Sequence, residues 1–189
     1  MTPRDYAILA QRSYQDAPTV GWPDSASRMH VYDGVHVFRG SDDVDSWLHD
    51  FDIDLIDVPG LGKLHAGFYT AWLAIRDQCL ALAPPKATAG HSLGGALTLI
   101  CCAEWALRDV IVPVYAFEAP RLCADGVMAA LLKAKNVPVF ATRNGNDIVT
   151  QVPPLLTRPG ELTQIGHASA PFDNVTDHSI GRVIQALPA

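Results

Sequence analysis

The residues best suited to chemistry are Gly90-His91-Ser92-Leu93-Gly94-Gly95, which place the pattern G-x-S-x-G between a segment of strand character (86–90) and one of helix character (93–108). The chain's own glycine and serine content gives about 0.04 expected chance matches, so the flanking elements matter as much as the letters. A nucleophile elbow needs small residues at both ends, because the strand turns sharply into the helix and presents a strained serine with its hydroxyl exposed. Gly90 and Gly94 supply that room. The chemistry implied is acyl transfer through attack of the Ser92 hydroxyl on a carbonyl carbon.

A serine at its ordinary pKa is a weak nucleophile. It needs a base, and the base needs an orienting carboxylate, in the chain order Ser, Asp or Glu, His. Only His167 and His178 lie downstream of Ser92. His178 follows a loop and opens the last predicted helix (179–187), which suits a side chain reaching across to the elbow. His167 ends a predicted strand (161–167) and reads as structural. The carboxylate should sit just past the carboxyl end of a strand. Asp147 meets that condition in Arg143-Asn144-Gly145-Asn146-Asp147, after a predicted strand at 138–143. Asp177 is adjacent to His178, where neighbouring side chains usually point apart, and Asp173 and Asp125 are weaker candidates.

The elements that must position these residues alternate. Thr2-Pro3 reads as an N-cap and first turn of a helix reaching about Tyr14. Segments 27–32 and 35–39 flank Asp33-Gly34, a dipeptide suited to a two-residue hairpin. Phe68, Trp72, Ile75, Cys79 and Leu82 recur at helical spacing over 65–82, and Pro84-Pro85 closes that segment. Strands at 86–90, 112–118 and 138–143 then alternate with helices at 93–108 and 124–135, which predicts an α/β fold, one domain over 1–189, with helices on both faces of the sheet.

Composition agrees. The 189 residues are 49% hydrophobic and 18% charged, which excludes disorder, collagen-like and coiled-coil classes. Of the net charge of −6, the stretch 40–62 holds seven Asp and no Lys or Arg, so the remainder is nearly balanced. No basic footprint for nucleic acid or polybasic patch for lipid is present, so nucleic acid is not an expected partner. The longest apolar stretch, 96–107, is interrupted by Glu104 and too short to span a bilayer, so no stable membrane insertion is expected. Four cysteines without C-x-x-C spacing suggest neither a disulfide framework nor structural zinc, and Cys101-Cys102 read as buried small hydrophobes. Asp50-x-Asp52-x-Asp54 begins like a calcium loop but has Leu55 and Leu61 where Gly and Glu are required. The alternation of Asp52 and Asp54 with Ile53 and Leu55 reads as a half-exposed edge strand. No cofactor or metal is implied. With no leader pattern at the amino terminus and no disulfides, the expected location is cytoplasmic, non-classical export being the alternative.

Six blocks in order resemble the class 3 lipases, the fungal triacylglycerol lipase-like group of α/β hydrolases. Phe38-Arg39-Gly40-Ser41 with Trp47 and Asp50 resembles the family's oxyanion loop and lid. His65-Ala66-Gly67-Phe68 is similar to its V-H-x-G-F segment, Leu64 replacing Val; Gly90 to Gly95 to its elbow; and Phe117-Glu118-Ala119-Pro120-Arg121 to its F-G-x-P-R. Asn144 to Asp147 with Val152-Pro153-Pro154 matches its N-x-x-D segment, and Asp177-His178-Ser179 its D-H-S. The resemblance implies a compact α/β-hydrolase fold, a mixed, mostly parallel sheet with a short lid helix. It also implies that Ser92 is the nucleophile, His178 its base and Asp147 the residue holding the imidazole. The backbone N–H groups of Ser41 and Leu93 would form the oxyanion hole, with the Ser41 hydroxyl as a further donor. It gives His65 no part in the triad.

Val44, Trp47, Leu48 and Phe51 fall at i, i+3, i+4 and i+7, an apolar stripe for a lid or a permanently packed surface helix. The acidic residues beside the stripe would be repelled by anionic bilayers, which predicts better turnover of short-chain or soluble esters than of emulsified long-chain fat. The acidic stretch also predicts that protons compete for His178 at mildly acid pH, so that activity rises between about pH 6 and 8. An acyltransferase or thioesterase using the same triad, and a non-catalytic binder on the same fold, are the alternatives. Oligomeric state does not follow from these residues.

Overall fold

The computed structural model describes residues 1–22, 25, 27–42, 44 and 54–189. The predicted lid residues Trp47, Leu48 and Phe51, and the Asp residues at 43, 45, 50 and 52, lie outside them. Val44 is the one described residue of the apolar stripe, helical and half-buried.

Helix α1 (Pro3–Arg12) starts at a capping box in which Thr2 and Asp5 exchange side-chain and backbone hydrogen bonds. Strands β1 (Met29–Tyr32) and β2 (Val35–Phe38) pair antiparallel across Asp33 and Gly34, both at positive φ as a tight hairpin turn requires. A separate hairpin of β3 (Leu55–Val58) and β4 (Gly62–His65) leads into α2 (Ala66–Ala81). The chain then alternates through β5 (Ala87–His91), α3 (Leu93–Ala106), β6 (Val114–Phe117), α4 (Val127–Ala134) and β7 (Val139–Asn144). A 3₁₀ turn (Val149–Gln151), β8 (Leu162–Ile165) and α5 (Ile180–Ala186) complete it.

The main sheet runs in the order β1-β2-β5-β6-β7-β8, parallel except for β1 against β2. Residues alternate between its faces, and two apolar clusters result. Phe38, Val114, Ala116 and Ala141 pack with α2, α3 and α4 on one side. Val35, Val37, Ala87 and Ala89 pack on the other with Ala7 and Ala10 of α1 and with Val183 and Leu187 of the closing helix region. The expected mixed sheet with helices on both faces is therefore observed.

Helix α3 is buried at every position, which explains why its sequence is apolar all round rather than striped. Cys101 and Cys102 lie within it, and all four cysteines are free and buried. Helix α2 buries Phe68, Trp72, Ile75 and Cys79, as the periodicity predicts, while Leu82 lies just past its end.

The β3–β4 hairpin differs from expectation. Of the edge strand predicted near 52–55, residues 52 and 53 lie outside the described residues and Leu55 opens β3, while Gly60 and Gly62 take positive φ in the turn. Asp125 closes this turn, accepting hydrogen bonds from the backbone N–H of Lys63 (2.8 Å) and Val127 (3.0 Å), so that carboxylate is structural. No helix among the described residues is long and apolar enough to cross a membrane.

Candidate active site

Strand β5 is central, buried and built of small residues, so its carboxyl end can be approached closely from both sides. Ser92 follows it with φ 60° and ψ −130°, a conformation L residues rarely hold, and is 1% exposed. Glycines make this turn possible. A Cβ at Gly90 would lie 2.2 Å from the Gly94 carbonyl oxygen, and one at Gly94 would lie 2.1 Å from that of Phe38. The strand, the elbow and the end of β2 therefore meet backbone to backbone.

The loop after β2 closes on the elbow at Gly40, where a Cβ would sit 3.1 Å from the Ser92 Cβ and 2.7 Å from the His91 carbonyl oxygen. Ser41 is the next residue along this loop. Asp42 anchors the loop by ion pairs to Arg28 (3.0 Å) and Arg39. Leu93, the other predicted oxyanion donor, is the first residue of α3, where backbone N–H groups have no intrahelical partner and favour negative charge.

Asp147 lies three residues past β7 and is fully buried. Its Oδ1 accepts from the Val149 N–H at 2.8 Å, which leaves Oδ2 to face His178 Nδ1 at 3.1 Å. The imidazole stacks on the ring of His91, the residue before Ser92, with centroids 4.6 Å apart. His178 Nε2 is buried and has no hydrogen-bond partner among the described residues. It is not hydrogen-bonded to Ser92 Oγ in this structure, and such contacts commonly tighten only when substrate is in place. Two of the three predicted triad residues, Asp147 and His178, are thus bonded to each other, and His178 lies against the residue that precedes Ser92.

The remaining sequence candidates have other work. Asp177 is fully buried beneath the loop. Its oxygens accept from the backbone N–H of Asn146 (2.8 Å) and Ser169 (3.1 Å) and pair with Arg182 (2.7 Å). Burial pushes its carboxyl up, but those donors outweigh burial and hold it at about 2. It fastens the His178 loop to the Asp147 loop. Asp173 pairs with Arg143 at 2.5 Å, and His167 is exposed. His65 is the buried N-cap residue of α2, against the Phe68 ring at 4.4 Å.

Sequence reasoning missed a second layer. Glu118, His91 and Tyr14 form a hydrogen-bonded chain next to the triad: Glu118 Oε2 to His91 Nε2 at 3.0 Å, and His91 Nδ1 to the Tyr14 hydroxyl at 2.9 Å. The available signal was the block Phe117-Glu118-Ala119-Pro120-Arg121, where Glu118 stands at the glycine of F-G-x-P-R. Ligand atoms of His91, Glu118 and His178 lie within 4.8 Å of one another, close enough for a metal ion. Hydrogen bonds already use both His91 nitrogens and His178 Nδ1, which accounts for the cluster without one.

Comparison with known proteins agrees with this architecture. A Rhizomucor miehei lipase is 28% identical over 134 residues, 62% of this chain and 37% of that protein. The secreted mono- and diacylglycerol lipase 1 of Fusarium solani is 28% identical over 132 residues, 62% of this chain and 38% of that protein. The matches therefore span under two fifths of these relatives' length. A solved structure of Rhizomucor miehei triacylglyceride lipase superposes with a TM-score of 0.76 over 95% of this chain and 93% of that one, at 20% identity. The fold is that of the fungal lipases.

The secreted relative overturns the expected cytoplasmic location. The physical reason is that a chain this long buries enough surface to be stable without disulfides, so their absence does not report the compartment. The description Lipase (class 3) matches residues 35–157, from the start of β2 through the Asp147 loop. With the elbow, the loop after β2 and the Asp147 loop all inside that match, the chain belongs to the class 3 lipase family.

Proposed function

We propose that the protein is a serine carboxylester hydrolase acting on acylglycerol or related esters. The observation that carries this reading is the buried 3.1 Å bond between His178 Nδ1 and Asp147 Oδ2, set beside a serine in the strained elbow conformation. Asp147 fixes the tautomer with the proton on Nδ1, which leaves Nε2 as the base. Ser92 Oγ attacks the ester carbonyl carbon and its proton passes to His178 Nε2. The oxyanion of the tetrahedral intermediate accepts hydrogen bonds from the Leu93 and Ser41 N–H groups. Collapse breaks the bond to the alcohol oxygen, which takes the proton from Nε2. Water then repeats the sequence, releasing the acid and restoring Ser92.

Each oxyanion donor is worth about 2.7 to 4 kcal/mol of barrier. The substrate preference follows from charge: Asp42 is paired with Arg28 and Arg39, and the other six Asp of 40–62, with no Lys or Arg among them, disfavour docking on anionic surfaces. Short-chain or soluble esters are the preferred substrates. Action outside the cytoplasm accords with the name of the Fusarium solani relative.

The test is kcat/KM on a chain-length series of p-nitrophenyl esters and on emulsified triacylglycerol, for wild type and Ser92→Ala. The expected result is hydrolysis lost in the variant and best with short acyl chains. Wild-type activity no greater than that of Ser92→Ala would refute the hydrolase reading, and a clear preference for the emulsion would refute the substrate reading.

A further inference from the structure

We propose that Glu118 is a positioning residue of the triad: its carboxyl, set between His91 and His178, is a second acid that acts with Asp147 on the His178 imidazole. The inference rests on the hydrolase reading above.

Three features of Glu118 argue that it is more than packing. It holds φ 53°, in the left-handed region where a side chain is disfavoured and where the family pattern has glycine. Its side chain is fully buried, and Oε1 has no hydrogen-bond partner among the described residues. Each of these opposes folding, and glycine would avoid them all. What the carboxyl does gain is a place at the base. Oε2 lies 3.8 Å from His178 Nδ1, the nitrogen that Asp147 engages at 3.1 Å, while accepting from His91 Nε2 at 3.0 Å.

From His91 the chain of bonds runs to the Tyr14 hydroxyl, which also meets the Gly40 backbone of the oxyanion loop. Glu118 thus connects the Asp147 side of the imidazole with the loop that carries Ser41.

The groups facing Glu118 set its charge. Burial first, then the charges of Asp147 after β7 and Asp177 before α5, drive its carboxyl well above the usual range, while the backbone amides of Asn144 and Ser179 pull the other way. His91 is driven well below its ordinary value by burial and by His178, so it stays neutral, with Nδ1 accepting from Tyr14 and Nε2 donating to Glu118. Glu118 then keeps its proton to higher pH than an ordinary carboxyl. As pH rises further, Glu118 releases that proton to solvent. A second negative charge near Nδ1 favours the imidazolium that forms as Ser92 attacks. Activity should therefore rise in two steps, the first being the ordinary rise of general-base catalysis and the second coming when Glu118 ionises.

The test is kcat/KM for a soluble ester from about pH 5 to 10 in wild type and in Glu118→Gln, which keeps the volume and the acceptor for His91 but not the ionisation. The expected variant profile has one step, with the upper plateau about three- to tenfold lower and KM little changed. Glu118→Gly, the family's residue and one suited to positive φ, should show the same single step. A variant profile of unchanged two-step shape, even if uniformly lowered, would overturn the proposal, since lowering alone is what a packing role produces. If neither variant folds, the downfield proton resonance of His178 Nδ1–H in wild type decides: two inflections with pH are expected, and one overturns it. That titration needs no turnover, so it separates failure of this proposal from failure of the hydrolase reading.

Discussion

Gly40→Ala tests the geometry of the oxyanion loop. The new methyl would lie 2.7 Å from the His91 carbonyl oxygen, about 0.7 Å short of ordinary contact, and 2.2 Å from the Tyr14 hydroxyl. The hydroxyl can swing away, although it then loses His91 Nδ1. The carbonyl cannot, because it ends the buried central strand. The loop must therefore retreat by roughly that 0.7 Å. A donor moved by this much from about 2.9 Å to the oxyanion reaches about 3.6 Å, where little of a hydrogen bond remains. The loss approaches that of a whole donor, about 2.7 to 4 kcal/mol, or a drop in kcat of about a hundred- to a thousandfold. KM should stay within about twofold, because the interaction exists only in the transition state. The assay is steady-state hydrolysis of a soluble p-nitrophenyl ester, with a melting curve to show that the fold is intact. A folded variant whose kcat stays within about threefold of wild type would refute the placement of the oxyanion donor at Ser41.

Two further variants probe the carboxylates. Asp147→Asn keeps the shape but presents a donor to His178 Nδ1 or favours the wrong tautomer, so kcat should fall by about 10⁴ with the melting temperature nearly unchanged, read in the same assay. Asp177→Asn removes acceptors for Asn146, Ser169 and Arg182 and should cost about 2 kcal/mol in denaturant unfolding at pH 7. Asp177 is held near 2, below its unfolded value, so its contribution is complete above about pH 4 and vanishes as pH falls through about 2. The gap between wild type and variant should close over that interval, and a gap that does not depend on pH would contradict the assignment.

The parts of the fold that local pattern specifies were legible. Asp33-Gly34 demands a hairpin, the spacing of Phe68, Trp72, Ile75 and Cys79 demands a helix with one buried face, and G-x-S-x-G demands a strand turning into a helix. The pairing of Asp147 with His178 was legible because chain order and strand-end placement leave few choices. Long-range partners were not. Nothing local to Glu118 says that its carboxyl meets a histidine 27 positions away, and nothing near Tyr14 says that it meets one 77 positions away. The β3–β4 hairpin was also missed, since its register depends on turn glycines and on Asp125, far along the chain. The acids that approach His178 among the described residues are Asp147 and Glu118.

The central claim is that Ser92 is a nucleophile activated by His178. Its most direct test is covalent labelling with a fluorophosphonate, followed by peptide mapping of wild type and His178→Ala. A single adduct on Ser92 is expected, formed readily in wild type and slowed by at least about a thousandfold in the variant. An adduct at another residue, no adduct in folded protein, or equal labelling of both proteins would contradict it.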